Sequence, residues 1–478
     1  MNDKTFQTRS KIWFLGLFLG LFSFLLTLLF SPPQNFSLEA WHTLGVGLLM
    51  AIWWMLEIVP LAVTALLPLI LMPLLKVRPL AQTASDYGDP LIFLFLGGFL
   101  MAQAMQRWGL HQRLALNLIM RTGTKPAALV GGFMVATAFL SMWVSNTATA
   151  MMMYPIGVST LNLLKNEKGE FGDVHLPIAL MLSIAYAANI GGVATLIGTP
   201  PNVMAVAFIE KEFHIVIPFW RWMLFGFPLA LGLLTFAYFL LTRWVFPLGK
   251  EEIVGVREYI HEQITQLGPM RREEKGVAIV LVTVVFLWLF KPILGSRIAS
   301  LSDTIIALMG VMALFVLPVD LKQKRFLLSR EALQAVPWEV LILFGGGLSL
   351  AASIESSELT VALSQITHHF RFLPSFLLFI FFAGMTLLLS ELASNTATVA
   401  VLLPIVSSFA VGLGANPLPF MIAIALAASC AFMMPVGTPP NAIIFGSGWV
   451  RVKHMARAGF WLNLVALTLI TAIVLIAF

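Results

Sequence analysis

A twelve-residue phrase occurs twice in this chain, as SNTATAMMMYPI at 145–156 and as SNTATVAVLLPI at 394–405. A second phrase, GTPPN, follows each copy, at 198–202 and again at 437–441. Two different motifs repeated in the same order mean an internal duplication. In an apolar chain that pattern points to a transporter, because duplicated membrane folds bring paired polar breaks together near the bilayer midplane.

The chain is apolar enough for that reading. Hydrophobic residues make up 59% of the 478 positions and charged residues 11%, about half the charge of a soluble domain. Mean hydropathy is +0.91. Cys430 is the single cysteine, which excludes an intrachain disulfide and a thiolate metal cluster. At the N-terminus, Lys4, Arg9 and Lys11 precede an apolar stretch at 12–30. Its length, and the SPPQNF that follows without a small-x-small cleavage pattern, favour a retained span over a cleaved signal peptide. The GxxxG spacing of Gly16 and Gly20 there is read as coincidence rather than a dimerisation face.

Further membrane segments are expected at about 39–57, 60–76, 89–110, 127–163, 175–210 and 218–243, then at 276–294, 300–318, 338–355, 375–412, 417–449 and 455–478. The polar stretch 244–271 between them reads as a cytoplasmic linker, with room for a surface helix. The net charge of +6 is distributed as membrane topology and not as a nucleic-acid-binding patch. With the N-terminus inside, the segments 1–11, 107–125, 165–168, 243–275, 322–330 and 451–457 hold 22 of the 29 Lys and Arg residues, a firm positive-inside bias. Lys76, Arg78, Lys211, Arg221, Lys291, Arg297 and Arg371 fall outside. This count requires 127–163 and 375–412 each to enter and leave on one side, so both are expected to be re-entrant hairpins with the Ser-Asn-Thr phrases near their tips. The expectation is an all-α membrane protein of about eleven transmembrane helices plus two hairpins. Residues 1–38 form a span outside the repeats, and 39–243 and 272–478 are repeats of inverted topology. LFLGGFLMAQ at 94–103 and LFGGGLSLAA at 343–352 also correspond, so Gly97 and Gly98 pair with Gly345 and Gly346 as points of close helix approach.

Irregular backbone at membrane depth survives only inside protein or beside a watery cavity. A Ser-Asn-Thr tip supplies neutral oxygens and amide donors there. The helix that starts after it offers free N–H groups and a positive dipole end to an anion. Carbonyls left open at the end of the preceding arm suit a hard cation. In GTPPN, glycine can stop a helix and proline can start one. With apolar flanks on both sides, each GTPPN reads as a helix broken in midspan. Acids within the spans are functional suspects by default. Glu391 precedes the second tip, where the first half has Met142, and is balanced between supporting the hairpin and tuning a cation site. Glu57, beside Pro60, is read as structural, and Asp303, Glu355 and Glu358 remain without an assigned role. His175, His368 and His369 are read as loop positions.

The paired SNTAT and GTPPN phrases, together with WWMLEIVPLAVTALLPLILMPLL at 53–75, resemble the divalent anion/sodium symporter family from about residue 39 onward. That resemblance implies eleven spans and two hairpins in inverted repeats, a homodimer in the lipid bilayer, and an elevator mechanism. It implies di- or tricarboxylates, or sulfate, as substrate, with sodium as the coupling ion and no other cofactor. It assigns the substrate to Ser145, Asn146, Thr147, Ser394, Asn395 and Thr396, assisted by Thr199 and Thr438. One sodium site is implied at Ser141, Ser145, Asn146 and the backbone of Gly198, and the other at Ser390, Ser394, Asn395 and the backbone of Gly437. Ser141 and Ser390 each stand four residues before their motif, which repeats the pattern once more.

No lysine or arginine falls within the motifs, so a dianion has to be balanced by helix termini, amide donors and bound sodium. The expected activity is sodium-coupled uptake of a C4 dicarboxylate such as succinate or malate, with no enzymatic reaction, in a bacterial inner membrane. A sodium-independent dicarboxylate exchanger, or citrate or sulfate as substrate, is the nearest alternative. A proton antiporter would rely on acidic residues that the motif cores lack. A membrane-embedded enzyme would need clustered carboxylates for metal-assisted chemistry. A channel fits paired breaks around one midplane site less well than alternating access does.

Overall fold

The computed structural model describes residues 3–164, 173–253, 255–294, 301–362 and 374–477. Helices dominate it, and the only strands among the described residues are the short antiparallel pair Pro318–Asp320 and Arg325–Phe326. Seven described helices are long and apolar enough to cross a membrane, and six shorter apolar helices accompany them. The chain is a helical membrane protein.

The helices form largely where hydrophobicity dictates. Leu38–Leu56, Pro90–Arg107, Phe219–Phe239, Arg272–Leu294, Asp303–Val316, Trp338–Ser356 and Val452–Ala477 cover seven expected segments. The segment expected as one span at 60–76 is instead two short helices, Leu61–Thr64 and Leu67–Leu74. Pro60 stands as the first N-cap and Pro68 in the opening turn of the second helix. Proline begins a helix more readily than it continues one. The basic stretch 107–125 contains an unexpected helix, Leu110–Met120, with Leu110, Ala115, Leu116 and Ile119 turned inward. The linker holds the helix Val256–Gln266, which buries Val256 and Ile260. The N-terminal helix Asp3–Leu29 packs on Leu38–Leu56, and the Trp13 indole donates to the Ile58 carbonyl at 2.7 Å. Gly16 and Gly20 face Leu56, Ile58 and Trp53 of that neighbour, so they serve packing within the chain.

Both GTPPN regions lie at the centre of the molecule. Every residue from 179 to 199 is buried, as is every residue from 420 to 432. These stretches are the arms that lead into the two GTPPN motifs, and protein surrounds them on all sides.

Four of the basic segments, 107–125, 243–275, 322–330 and 451–457, are joined by contacts with one another. Arg113 pairs with Glu274 at 2.6 Å and donates to the Gly268 carbonyl at 2.9 Å. The Ile253 amide donates to the Thr124 carbonyl, and the Trp108 indole to the Leu327 carbonyl. His175 begins its helix as an exposed residue hydrogen-bonded to Pro247, and the Phe246 ring packs against His454. A separate cluster collects other cations: Asp86 bridges Arg78 and Lys211, while Asp303 pairs with Lys291 at 2.8 Å and accepts from the Phe219 amide at 2.7 Å. His368, His369, Arg297 and Arg371 lie outside the described residues.

Of the paired glycines, three mark close approaches. A Cβ on Gly97 would lie 2.8 Å from that of Ala307, and one on Gly346 would lie 2.6 Å from that of Ala65. Gly345 faces Tyr87, whose hydroxyl donates to the Ala65 carbonyl. Gly98 differs, its nearest neighbour being an Ile197 carbon at 3.5 Å. Overpacking at a helix contact costs about 1–3 kcal/mol. Gly346→Ala is therefore expected to lower the melting temperature of the detergent-purified protein by several degrees, and Gly98→Ala to leave it unchanged, as read by tryptophan fluorescence on heating.

Candidate functional site

Each Ser-Asn-Thr phrase sits at a turn between two packed helices. The first turn joins Pro126–Ser141 to Asn146–Asn162, and the second joins Ser375–Ser390 to Asn395–Gly412. Ser145 and Ser394 are the N-caps of the returning helices, with nearly equal backbone angles (φ −55°, ψ 144° and φ −58°, ψ 130°). The first N–H groups of each returning helix have no acceptor within it and face outward along its axis.

Each GTPPN likewise sits where one helix stops and another starts. His175–Val193 gives way to Pro200–Phe213, and Pro417–Ala428 to Pro439–Phe445. Thr199 and Thr438 are the N-caps, at φ −145°, ψ 144° and φ −143°, ψ 146°. The asparagine of each motif ties its loop together. Asn202 Nδ2 donates to the Gly192 and Thr195 carbonyls at 3.1 and 2.8 Å, and Asn441 Nδ2 to the Ala431 and Met434 carbonyls at 3.1 and 3.0 Å. The two prolines remove N–H groups from the first turn of each restarted helix. The threonine hydroxyl is left as the main donor there.

All eight expected substrate residues come together. Ser145, Asn146, Thr147, Thr199, Ser394, Asn395, Thr396 and Thr438 line one cavity of about 1250 Å³. Its other wall comes from Met55, Glu57, Phe99, Gln103, Gln106 and Val340. No lysine or arginine is among its described lining residues. Glu57 is the left-handed C-cap of Leu38–Leu56 (φ 48°) and brings a carboxylate to the cavity, an exposure the sequence did not suggest.

Ser141 and Ser390 lie behind the tips, fully buried. Ser141 Oγ is 2.8 Å from Asn146 Oδ1 and 2.6 Å from the Ala188 carbonyl, and Ser390 Oγ is 2.5 Å from both Asn395 Oδ1 and the Ala428 carbonyl. A hydroxyl has one proton, so each cluster brings together three oxygens with a proton for only one contact. Clusters of neutral oxygens suit a hard cation. The alanine carbonyls were not foreseen. A Cβ on Gly192 would overlap the Asn146 side chain, and one on Gly198 would overlap the Gly192 backbone, so both glycines let tip and loop meet. Gly198 is buried behind the cavity, while Gly437 lines it. One turn into each returning helix, Thr149 and Thr398 are buried with hydroxyls that have no partner among the described residues.

Tip and loop are locked differently in the two halves. In the first, Thr195 Oγ1 donates to the Met142 carbonyl at 2.6 Å. In the second, the buried Glu391 carboxylate accepts from the amides of Phe432, Met433 and Met434 at 2.8–3.0 Å, and from Asn463 Nδ2 at 2.7 Å. Glu391 therefore holds the second broken-helix loop to its hairpin. Of the two roles weighed for Glu391, this is the support of the hairpin, and the sequence could not choose it because the main partners are backbone amides. Asn189, also unforeseen, crosses between halves: its Nδ2 lies 2.9 Å from Thr438 Oγ1 and 3.4 Å from Asn441 Oδ1. Replacing Glu391 by alanine strands three amides and one side-chain donor, and hydrogen bonds to a charged acceptor contribute about 1.5–3 kcal/mol each. Glu391→Ala is expected to cost at least about 3 kcal/mol and Glu391→Gln less, measured as loss of thermal stability in detergent.

Comparison with known proteins fits this architecture. The sequence profile described as "Sodium:sulfate symporter transmembrane region" matches residues 11–477. A sodium-dependent dicarboxylate transporter, SdcS, of Staphylococcus aureus (strain bovine RF122 / ET3-1) is 40% identical over 468 residues, covering 96% of this chain and 90% of the relative. SdcS of Staphylococcus saprophyticus is 39% identical over 481 residues, covering 99% and 93%. Among solved structures, the YdaH transporter of Alcanivorax borkumensis shares the fold with a TM-score of 0.56 at 14% identity, over 82% of this chain and 86% of that one. MtrF of Neisseria gonorrhoeae does so with a TM-score of 0.54 at 12% identity, over 83% of each. With a profile match along nearly its whole length and relatives at 40% identity, the chain belongs to the divalent anion/sodium symporter family, a family of transporters and not of enzymes.

Proposed function

We propose that this protein takes up divalent organic anions together with sodium, with a C4 dicarboxylate such as succinate or malate as substrate, by elevator-type alternating access. The observation that carries this reading is the single cavity where both Ser-Asn-Thr tips and both GTPPN threonines meet without a basic side chain. Two like tips suit an anion with two like ends. Tip hydroxyls and amides (Ser145, Asn146, Thr147 and Ser394, Asn395, Thr396) bind its carboxylates, with Thr199 and Thr438 as further donors. The 40%-identical relatives, named as sodium-dependent dicarboxylate transporters, support substrate class and coupling ion alike.

Sodium occupies the two oxygen clusters behind the tips. Ser141, Ser145, Asn146 and the backbone near Gly198 hold one ion, and Ser390, Ser394, Asn395 and the backbone near Gly437 hold the other. The Ala188 and Ala428 carbonyls are added ligands at these clusters. A cation about 4 Å from a carboxylate contributes on the order of 4 kcal/mol at an effective dielectric of 20, against about 1 kcal/mol for a neutral hydrogen bond. Sodium therefore dominates the charge balance, and anion binding depends on it.

The proposed architecture has eleven spans and two re-entrant hairpins, with inverted repeats at 39–243 and 272–478 joined by the linker 244–271, and residues 1–38 as a span outside them. The contacts that join the basic segments 107–125, 243–275, 322–330 and 451–457 support one cytoplasmic side that includes the linker, and the N-terminus is assigned to the same side by its own Lys4, Arg9 and Lys11. The protein works as a homodimer in a bacterial inner membrane, and the unit carrying the motifs slides past the wall that bears Glu57, Phe99 and Val340.

Radiolabelled succinate uptake into proteoliposomes tests this reading. Uptake is expected with an inward sodium gradient and not when potassium replaces sodium. Asn146→Ala and Asn395→Ala are each expected to abolish it while leaving membrane insertion intact. Uptake driven by internal dicarboxylate without sodium would move the protein to the exchangers and remove both cation sites.

A further inference from the structure

The buried amide of Asn189 has no role in the assignments above, and its surroundings leave it one orientation. Asn441 has its Nδ2 between two carbonyl oxygens at 3.1 and 3.0 Å. An oxygen in that place would face two acceptors without a proton, so Asn441 must present its Oδ1 on the other side. That oxygen faces Asn189 at 3.4 Å, which fixes the facing Asn189 atom as the Nδ2 donor. The same nitrogen then donates its second proton to Thr438 Oγ1 at 2.9 Å. Thr438 is thus compelled to be an acceptor toward Asn189, and its own proton must point elsewhere. Thr438 and Asn189 both line the cavity.

The first half lacks this device. Thr199 has the backbone angles of Thr438 to within a few degrees, and Asn202 holds its loop as Asn441 does. The serine clusters match Ala188 to Ala428, which puts Ser429 opposite Asn189, and the Ser429 hydroxyl donates to the Ala425 carbonyl of its own helix at 3.2 Å. A serine turned back on its own helix has no amide to give, and Asn202 Oδ1 is buried without a partner among the described residues. Among the described residues no amide holds the Thr199 hydroxyl, which can turn to donate or accept.

We infer that Asn189 is a positioning residue that fixes the Thr438 hydroxyl as a donor to the substrate, so that the two ends of the site differ in specificity. This rests on the reading of the cavity as a divalent-anion site. The Thr438 end takes only a group that accepts, an ionised carboxylate, and the amide behind the hydroxyl strengthens that bond by polarising it. The Thr199 end also tolerates a group that donates, such as a hydroxyl or a protonated carboxyl.

A double-mutant cycle in proteoliposomes tests the inference, with succinate KM measured at saturating sodium. Asn189→Ala is expected to raise KM about tenfold, the scale of one hydrogen bond to a charged group, with sodium half-saturation unchanged. In a Thr438→Val background the same substitution is expected to add less than about twofold, and in a Thr199→Val background the full effect, since only contacting residues couple. Equal effects in the two backgrounds, or a change mainly in sodium dependence, would overturn the inference. Should Asn189→Ala fail to fold, the threonines decide alone. Thr438→Val is expected to raise KM about tenfold, and Thr199→Val and Thr438→Ser less than about threefold. Equal losses for the two valine variants would sink the asymmetry. If the unsubstituted protein takes up no succinate in a sodium gradient, the proposed function itself fails. Normal uptake with an additive cycle removes only the role of Asn189.

Discussion

Backbone that leaves a helix inside an apolar molecule has to find its hydrogen bonds within the protein, and the rest of this structure depends on how two loops meet that demand. Each unpaired buried carbonyl or amide costs on the order of 1–3 kcal/mol. The asparagine of each GTPPN gives both amide protons to two carbonyls of its own loop, which turns a gap between helices into a closed and rigid link. Once those links are rigid, the threonine N-caps stand at fixed angles beside the cavity and the glycines allow the hairpin tips to seat against them. Side-chain bonds then join loop to tip, from Thr195 to the Met142 carbonyl in the first half and from Glu391 to three loop amides in the second.

Duplication gave the two halves one backbone plan and left the side chains free to diverge. The angles at Thr199 and Thr438 agree within a few degrees, and the serine-centred oxygen clusters match closely. Yet the bond between tip and loop is a hydroxyl donating to a carbonyl in one half and a carboxylate gathering amides in the other. A carboxylate that accepts from three amides and an asparagine has its charge largely compensated inside the protein. That placement removes Glu391 from the list of groups free to meet a cation, although it stands one residue from the serine of the second cluster.

Much of this was legible in the sequence because it follows from hydrophobic length and from repetition. The long helices, the turns at Ser145 and Ser394 and the breaks at both GTPPN motifs all stand where apolar runs, proline and glycine put them. What sequence does not display is which polar atom meets which. Asn189 reads as one amide in the apolar run AYAANIGG, and its partner lies 249 residues away. Glu391 remained balanced between two roles because its main partners are backbone amides, which every residue but proline carries. The helix Leu110–Met120 was hidden by the four basic residues of 107–125, which mark topology and say little about local conformation. The segment 60–76 was hydrophobic enough for one span, but its prolines divided it.

The prolines of GTPPN bear on release as well as on folding. A helix that began with ordinary residues would aim several fixed N–H groups at the cavity, and N–H groups cannot turn away. Pro-Pro keeps the helix start and removes those donors, so in the proposed site recognition at that end falls to a threonine hydroxyl whose net contribution is about 1 kcal/mol. A carrier has to let go of its substrate on the far side, and a site built of strong fixed donors would hold the anion at both faces of the membrane. In the proposed mechanism sodium contributes most of the attraction, so departure of the cation removes most of the binding energy at once. Coupling then follows from the weakness of the protein's own contacts, and a lysine or arginine placed in this cavity would weaken the dependence on sodium by supplying a charge that never leaves.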